Sequence, residues 1–261
     1  MLRAIAFDLW ETLVTNTPEV SEVQKQLRLS RLETILVARG HAAAAHRIHQ
    51  AHSTSWERCQ ELYWSQDRDI PCRTQVEHFL EELGLDAASL EEPTLAELEH
   101  AYATAAVELP PEAIDGAAEM LAQLKSRGLR TGLISNTGRT PGYALREILA
   151  RLGLSQSIDV MVFSNEHGYC KPQASIFEEL RRGLGVAYDE VMFVGDNLYA
   201  DVHGAQRCGM RAVHFQPPVR GTAVAPPVEH DLEIVPDAIV TSLSQLVPLA
   251  ASIDIAILPS R

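Results

Sequence analysis

The hydrophobic pattern changes period twice along the chain. Ile5-Ala6-Phe7 is a short apolar run closed by Asp8, and such a run, bounded by polar residues, reads as a buried parallel strand. From about residue 18 to 109, runs of β-branched residues give way to Ala, Leu, Glu, Gln and Arg, a composition that predicts helices. Leu27, Leu29, Leu32, Ile35 and Leu36 form a helical stripe that ends near Gly40, the usual residue just past a helix end. Further helices are predicted over residues 42–64, 74–83 and 94–107, with a loop at 68–72 around Asp69 and Pro71. Beyond Pro110, helix and strand alternate. Helices are predicted at 117–127, 143–152 (with Thr140 as cap and Pro141 in the first turn), 175–184 and 202–208. Strands fall at 130–135, 160–164, 191–194 and 211–215. Residues 217–227 read as an extended, proline-rich surface segment, and 238–240 and 242–249 as a last strand and helix. The alternation predicts an α/β fold with a parallel sheet.

Composition narrows the classes of partner. The 261 residues are 46% hydrophobic, enough for a sizeable core, and the formal net charge of −13 repels nucleic acid and anionic lipid. No stretch approaches the ~20 apolar residues of a membrane span, and the amino terminus leads straight into a core strand, so a cytoplasmic location is expected. Cys59, Cys72, Cys170 and Cys208 are scattered without metal-site or disulfide spacing and read as reduced thiols. Nothing in the sequence specifies an oligomeric state.

The strand ends carry the candidate chemistry. Asp8 follows the first strand, and three later runs also end in polar groups: Ser135-Asn136, Lys171-Pro172, and Asp196 with Asp201. A carboxylate in the position of Asp8 is a nucleophile, a metal ligand or a cap. Asp196 and Asp201 offer hard oxygen ligands suited to Mg²⁺, and acids converging on one point repel each other without a cation; Asp201 equally suits a helix start. Ser135 and the amides leading to the helix near Pro141 make either an anion site or a plain strand-to-helix turn. Lys171, braced by Pro172, is either a fixed cation for an anionic substrate or a surface lysine. Thr12 bonds the nucleophile or a bound anion, or stabilises its turn. In the helical region Trp56, Tyr63, Trp64, Arg73 and His78 are substrate contacts or core. His46, His49 and His52 lie three apart on one helix, without an acid or cysteine to complete a metal set, and read as a solvated face. Arg139 and Arg220 are candidates for an anionic substrate tail, or surface charges.

Carboxylate, hydroxyl, lysine and acid pair, in that order, resemble the four motifs of the haloacid dehalogenase superfamily of hydrolases. The resemblance implies a Rossmann-like core of residues 1–16 and 110–261, with a helical cap of residues 17–109 that closes over the sheet edge and selects the substrate. It implies a catalytic Asp8 and Lys171, an anion site of Thr12, Ser135, Asn136 and Lys171, and Mg²⁺ held by Asp8, the main-chain carbonyl of Trp10, Asp196 and Asp201. Most phosphatases of the family carry a second Asp two residues after the nucleophile, and this chain has Trp10 there. The expected function is an attenuated Mg²⁺-dependent phosphatase of a small anionic metabolite, through an aspartyl-phosphate intermediate. The dehalogenating branch shares Asn136 and an aromatic at position 10, but carries Ser and Asn where this chain begins Gly195-Asp196. A 2-haloacid dehalogenase and a catalytically decayed phosphate-binding protein are therefore the alternatives.

Overall fold

A computed structural model of the protein describes residues 1–217 and 232–255. Strand β1 (Ala4–Phe7) leads through a tight turn to β2 (Val14–Thr15). A helical stretch follows: α1 (Pro18–Ala38), α2 (Ala45–Leu62), α3 (Cys72–Glu82), α4 (Glu92–Ala103) and α5 (Ala105–Glu108). Strand β3 (Glu112–Ala113) returns antiparallel to β2 and closes the neck of this insertion. The chain then runs α6 (Ala117–Ser126), β4 (Arg130–Ser135), α7 (Gly142–Arg151), β5 (Val160–Phe163), α8 (Ser164–His167), α9 (Ala174–Leu184) and β6 (Val191–Gly195). A π-helical turn (Leu198–His203), α10 (Gly204–Arg207), β7 (Arg211–Phe215), β8 (Ala238–Val240) and α11 (Leu246–Ile255) complete it. The six-stranded sheet has the order β5-β4-β1-β6-β7-β8 and all its pairs are parallel. This is the parallel α/β sheet that the alternation predicts, in the Rossmann-like form that the resemblance implies.

Period-two alternation gives the sheet two apolar faces. Ile5 and Phe7 pack with Leu121, Leu124, Leu145, Ile148 and Leu246 on one side. Ala4 and Ala6 pack with Ile176, Phe177, Leu180 and Leu184 on the other. The helical insertion has its own core, with Leu32, Leu36, Val76, Phe79, Leu98 and Tyr102 at its centre. Among the described residues no helix is long and apolar enough to cross a membrane.

Several sequence expectations shift in detail. The first helix begins at Pro18, where Thr17 Oγ1 accepts from Val20 N. The helix expected over 94–107 breaks at Thr104, whose hydroxyl donates to His100 O at 2.8 Å and so competes with the backbone ladder. Thr140 does not cap α7; Pro141 takes the cap position and Asn165 Oδ1 accepts from Gly142 N. His52 is buried rather than solvated, because α2 packs that face inward with Ile48 and Ala51. The segment expected at 217–227 lies, beyond Pro217, outside the described residues, as does Arg220.

Candidate active site

The strand order reverses direction at β1: β4 and β5 lie to one side, and β6, β7 and β8 to the other. Ligands of open parallel sheets bind in the crevice at the carboxyl ends of the strands flanking such a reversal. Asp8 follows β1 there, Ser135 ends β4, and Asp196 follows β6. The turn after Asp8 is tight, with Leu13 N and Val14 N both donating to Leu9 O. It places Glu11 at φ 59°, in the left-handed region. Glu11 is fully buried and accepts from Thr15 Oγ1 at 3.0 Å; it does not line the crevice.

Lys171 organises the charges. Its Nζ donates to Asp8 Oδ1 at 2.5 Å and to Ile134 O at 3.0 Å, and sits 2.8 Å from Asp201 Oδ1. The lysine main chain is fixed by Asn136, whose Oδ1 accepts from Lys171 N at 2.8 Å while its Nδ2 donates to Lys171 O at 3.1 Å. Burial alone would depress the lysine ammonium, but Asp201 and Asp8 outweigh it and hold it above its ordinary value. Burial also pushes the Asp8 carboxyl up to about 6; Lys171 works against this shift and the neighbouring Asp201 adds to it.

Asp8, Asp196 and Asp201, all buried, bring carboxylate oxygens within 4.8 Å of one another. Asp201 is anchored by Asn197 N, which donates to its Oδ2 at 3.0 Å. Gly195 is required here, since a Cβ at that position would collide with the Asp201 carboxylate. An all-oxygen anionic cluster suits a hard divalent cation such as Mg²⁺, and it gathers residues distant in sequence at one point.

These groups form the floor of a cavity of about 420 Å³. Trp10 and Asn136 also line it, whereas the Thr12 and Ser135 hydroxyls are fully buried and outside that lining. The helical insertion supplies the opposite wall with Gln24, Arg28, Trp56, Gln60 and Trp64. Of the other candidates from the insertion, Tyr63 and His78 pair with each other at 3.3 Å, and Arg73 is taken up by Glu92 and Glu99.

Asp69 is a residue that sequence reasoning placed only in a loop. Its buried carboxylate accepts from Trp64 Nε1 at 2.8 Å, Thr137 Oγ1 at 3.0 Å, Ile70 N and the Ser164 hydroxyl. It therefore ties the insertion to the loops after β4 and β5, and burial raises its pKa. Gln75 Nε2, donating to Gly138 O, adds a second tie. The sequence signal was an acid in a short loop between two helices, which is also what an ordinary turn looks like.

A family model described as haloacid dehalogenase-like hydrolase matches residues 2–209. Glyceraldehyde 3-phosphate phosphatase of Pyrococcus furiosus is 32% identical over 103 residues, 40% of this chain and 42% of the relative, so the match spans under half of that enzyme. Among solved structures, a 2-haloacid dehalogenase from Pseudomonas syringae pv. Tomato superposes with a TM-score of 0.64 at 22% identity, covering 97% of this chain and 99% of that one. A haloacid dehalogenase-family phosphatase from Thermococcus onnurineus gives 0.57 at 20% identity, covering 95% and 97%. Likeness at such identities speaks for the fold alone, but the family model spans Asp8, Lys171, Asp196 and Asp201, and by that measure the chain belongs to the haloacid dehalogenase-like hydrolases.

Proposed function

We propose that the protein is a Mg²⁺-dependent phosphatase of small phosphate monoesters, with Asp8 as nucleophile and the helical insertion of residues 17–109 as a cap. The observation that carries this reading is the cluster of Asp8, Asp196 and Asp201 beside Lys171. Asp196 is the member of the cluster that favours this reading, since the resemblance puts Ser and Asn in the dehalogenating branch where this chain begins Gly195-Asp196.

In the proposed reaction an Asp8 oxygen attacks phosphorus, the ester P–O bond breaks, and the leaving group departs with the bonding pair as alkoxide or aryloxide, which takes its proton from solvent. Water then attacks phosphorus of the aspartyl phosphate, releasing phosphate and restoring the carboxylate. Lys171 orients Asp8 and places positive charge next to the phosphoryl oxygens. Asn136 holds Lys171 in place through its paired bonds to that residue's main chain. Asp8, Asp196 and Asp201, with the Trp10 carbonyl, would hold Mg²⁺, which when bound supplies charge against the phosphoryl group. Thr12 and Ser135 would act from behind the cavity floor.

Trp10 sets the limits of the reaction. An indole neither donates a proton to a leaving alkoxide nor takes one from water at neutral pH. Glu11, the nearest carboxyl in sequence, is turned into the protein toward Thr15. The leaving group must therefore depart with little help, which favours aryl and acyl phosphates over alkyl esters.

The test is turnover of p-nitrophenyl phosphate and of 2-chloropropionate, each with Mg²⁺ and with EDTA. Metal-dependent phosphate release is the expected result. Metal-independent halide release would select the dehalogenase reading that Trp10 and Asn136 favour, and absence of both would leave a phosphate-binding protein.

A further inference from the structure

We infer that the substrate carries a second anionic group, bound between Arg28 and Arg139 on the insertion side of the cavity; this rests on the phosphate-ester reading above. Arg28 projects from α1 and is only 6% exposed, yet it lines the cavity. Its Nε donates to Tyr102 O at 2.6 Å, and its guanidinium lies 5.5 Å from the Tyr102 ring centroid. Arg139 comes from the opposite side, in the loop after β4. It stacks 4.1 Å over Trp56 and donates through Nη2 to His52 O at 3.0 Å. Its Nε is buried without a hydrogen-bond partner.

Among the described residues neither guanidinium is in an ion pair. The groups packed around them are the main-chain carbonyls of Tyr102 and His52, the His52 ring, and the Tyr102 phenol. Burial, with help from Arg139 and Arg28, drives the His52 pKa down to about 2, so that ring is neutral. Burial likewise raises the Tyr102 phenol, which stays protonated. Asp69, on the same wall, is committed to Trp64, Thr137, Ser164 and Ile70. Burial and the neighbouring Arg139 pull Arg28 down to about 10, which leaves it charged at neutral pH.

A buried Arg28 beside a half-buried Arg139 whose Nε is shielded from water, with no counter-ion on either among the described residues, is costly to the folded protein. A guanidinium is a planar fork that matches carboxylate and phosphate oxygens, and one anion between two such forks satisfies donors on both. Arg28 belongs to the insertion and Arg139 to the core, so this anion would also bridge the two parts of the chain. The reacting phosphoryl group is already provided for by Lys171 and the acid cluster. The ligand class is thus an organic phosphate with a carboxylate or second phosphate elsewhere on a short skeleton.

The experiment is a binding titration on the full chain with Mg²⁺, read by tryptophan fluorescence. All three tryptophans of the chain, Trp10, Trp56 and Trp64, line this cavity. The probes are non-hydrolysable: alkylphosphonates with a methyl end, the same chains ending in carboxylate, and the corresponding bisphosphonates, over a range of short chain lengths. At the fitting length the anionic end should tighten binding about ten- to a hundredfold, the factor a charge-assisted hydrogen bond supplies. Whether the carboxylate or the bisphosphonate gains more identifies the second group. Arg28→Met and Arg139→Met should each shrink that margin at least about tenfold, with Arg28→Lys standing in if the Met variant does not fold. Equal affinity of methyl-ended and anion-ended probes at every length overturns the proposal, as does a margin that survives both substitutions. Turnover of p-nitrophenyl phosphate with no such margin would sink this inference alone. A retained margin without turnover would sink the phosphatase reading alone.

Discussion

The two walls of the cavity treat charge in opposite ways. On the sheet edge, opposite charges are packed together: Lys171 lies against both Asp8 and Asp201, and Asn136 fixes its main chain. Where the insertion meets the core, Arg28 from α1 and Arg139 from the loop after β4 face neutral rings and carbonyls. The first arrangement is assembled before any ligand arrives, which suits a chemical step that must be the same for every substrate. The second, on the proposal above, would be completed only when a ligand brings its own charge, which suits selection among substrates.

The largest effect is expected at the charged centre of the sheet edge. Asp8→Asn removes the proposed nucleophile with little change of shape, and p-nitrophenyl phosphate turnover should fall at least about a thousandfold while circular dichroism stays native. A residual rate above about 1% of the parent would mean that Asp8 only positions the substrate. Trp10→Asp restores a proton donor beside the sheet-edge wall. It should raise the rate on alkyl phosphates about ten- to a hundredfold, and by less on aryl phosphates. Equal leaving-group slopes in the parent and the variant would show that the missing acid does not limit the reaction.

A smaller effect is expected at Gly195, where an added methyl collides with the Asp201 carboxylate. Gly195→Ala should weaken Mg²⁺ binding about tenfold by calorimetry, with a stability loss of about 1–3 kcal/mol for the crowding. Unchanged metal affinity would detach Asp201 from the ion site.

The smallest effect concerns the tie between the walls. Asp69 has a folded-state pKa raised by burial above the ordinary 3.8. Its contribution to stability is therefore present in full below the unfolded value and is lost as pH rises through the folded one. Asp69→Asn does not titrate and keeps partners for Trp64, Thr137 and Ser164. The melting temperature of the variant relative to the parent should thus rise with pH across that window. A difference that is flat or falls with pH would contradict the assigned shift.

The sheet-edge wall was far more legible in the sequence than the insertion wall, for a physical reason. Asp8 and Asp196 each close an apolar run, so their place at a strand end follows from the pattern, whereas Lys171 comes from the loop after α8 and Asp201 from the π-helical turn after β6. Parallel pairing then brings strand ends together whatever their separation along the chain. Arg28 sits within a helix rich in charged residues, and its burial depends on how α1 packs against the segment carrying Tyr102. Its sequence neighbourhood looks like a solvated face. His52 misled for the same reason: three histidines at helical spacing resemble an exposed stripe, but α2 turns the last one inward. For Trp56 and Trp64, by contrast, the sequence leaves core and pocket equally open, and they pack together with ring centroids 4.3 Å apart and planes tilted by 51° while lining the cavity.

The central claim is that the acid cluster holds a divalent cation on which phosphate release depends. Calorimetric titration of Mg²⁺ into the parent and into Asp196→Ala, paired with p-nitrophenyl phosphate turnover over the same concentrations, tests it most directly. In the parent, binding and turnover should saturate together, and Asp196→Ala should lose both. Full turnover in EDTA, or unchanged Mg²⁺ affinity in Asp196→Ala, would contradict it.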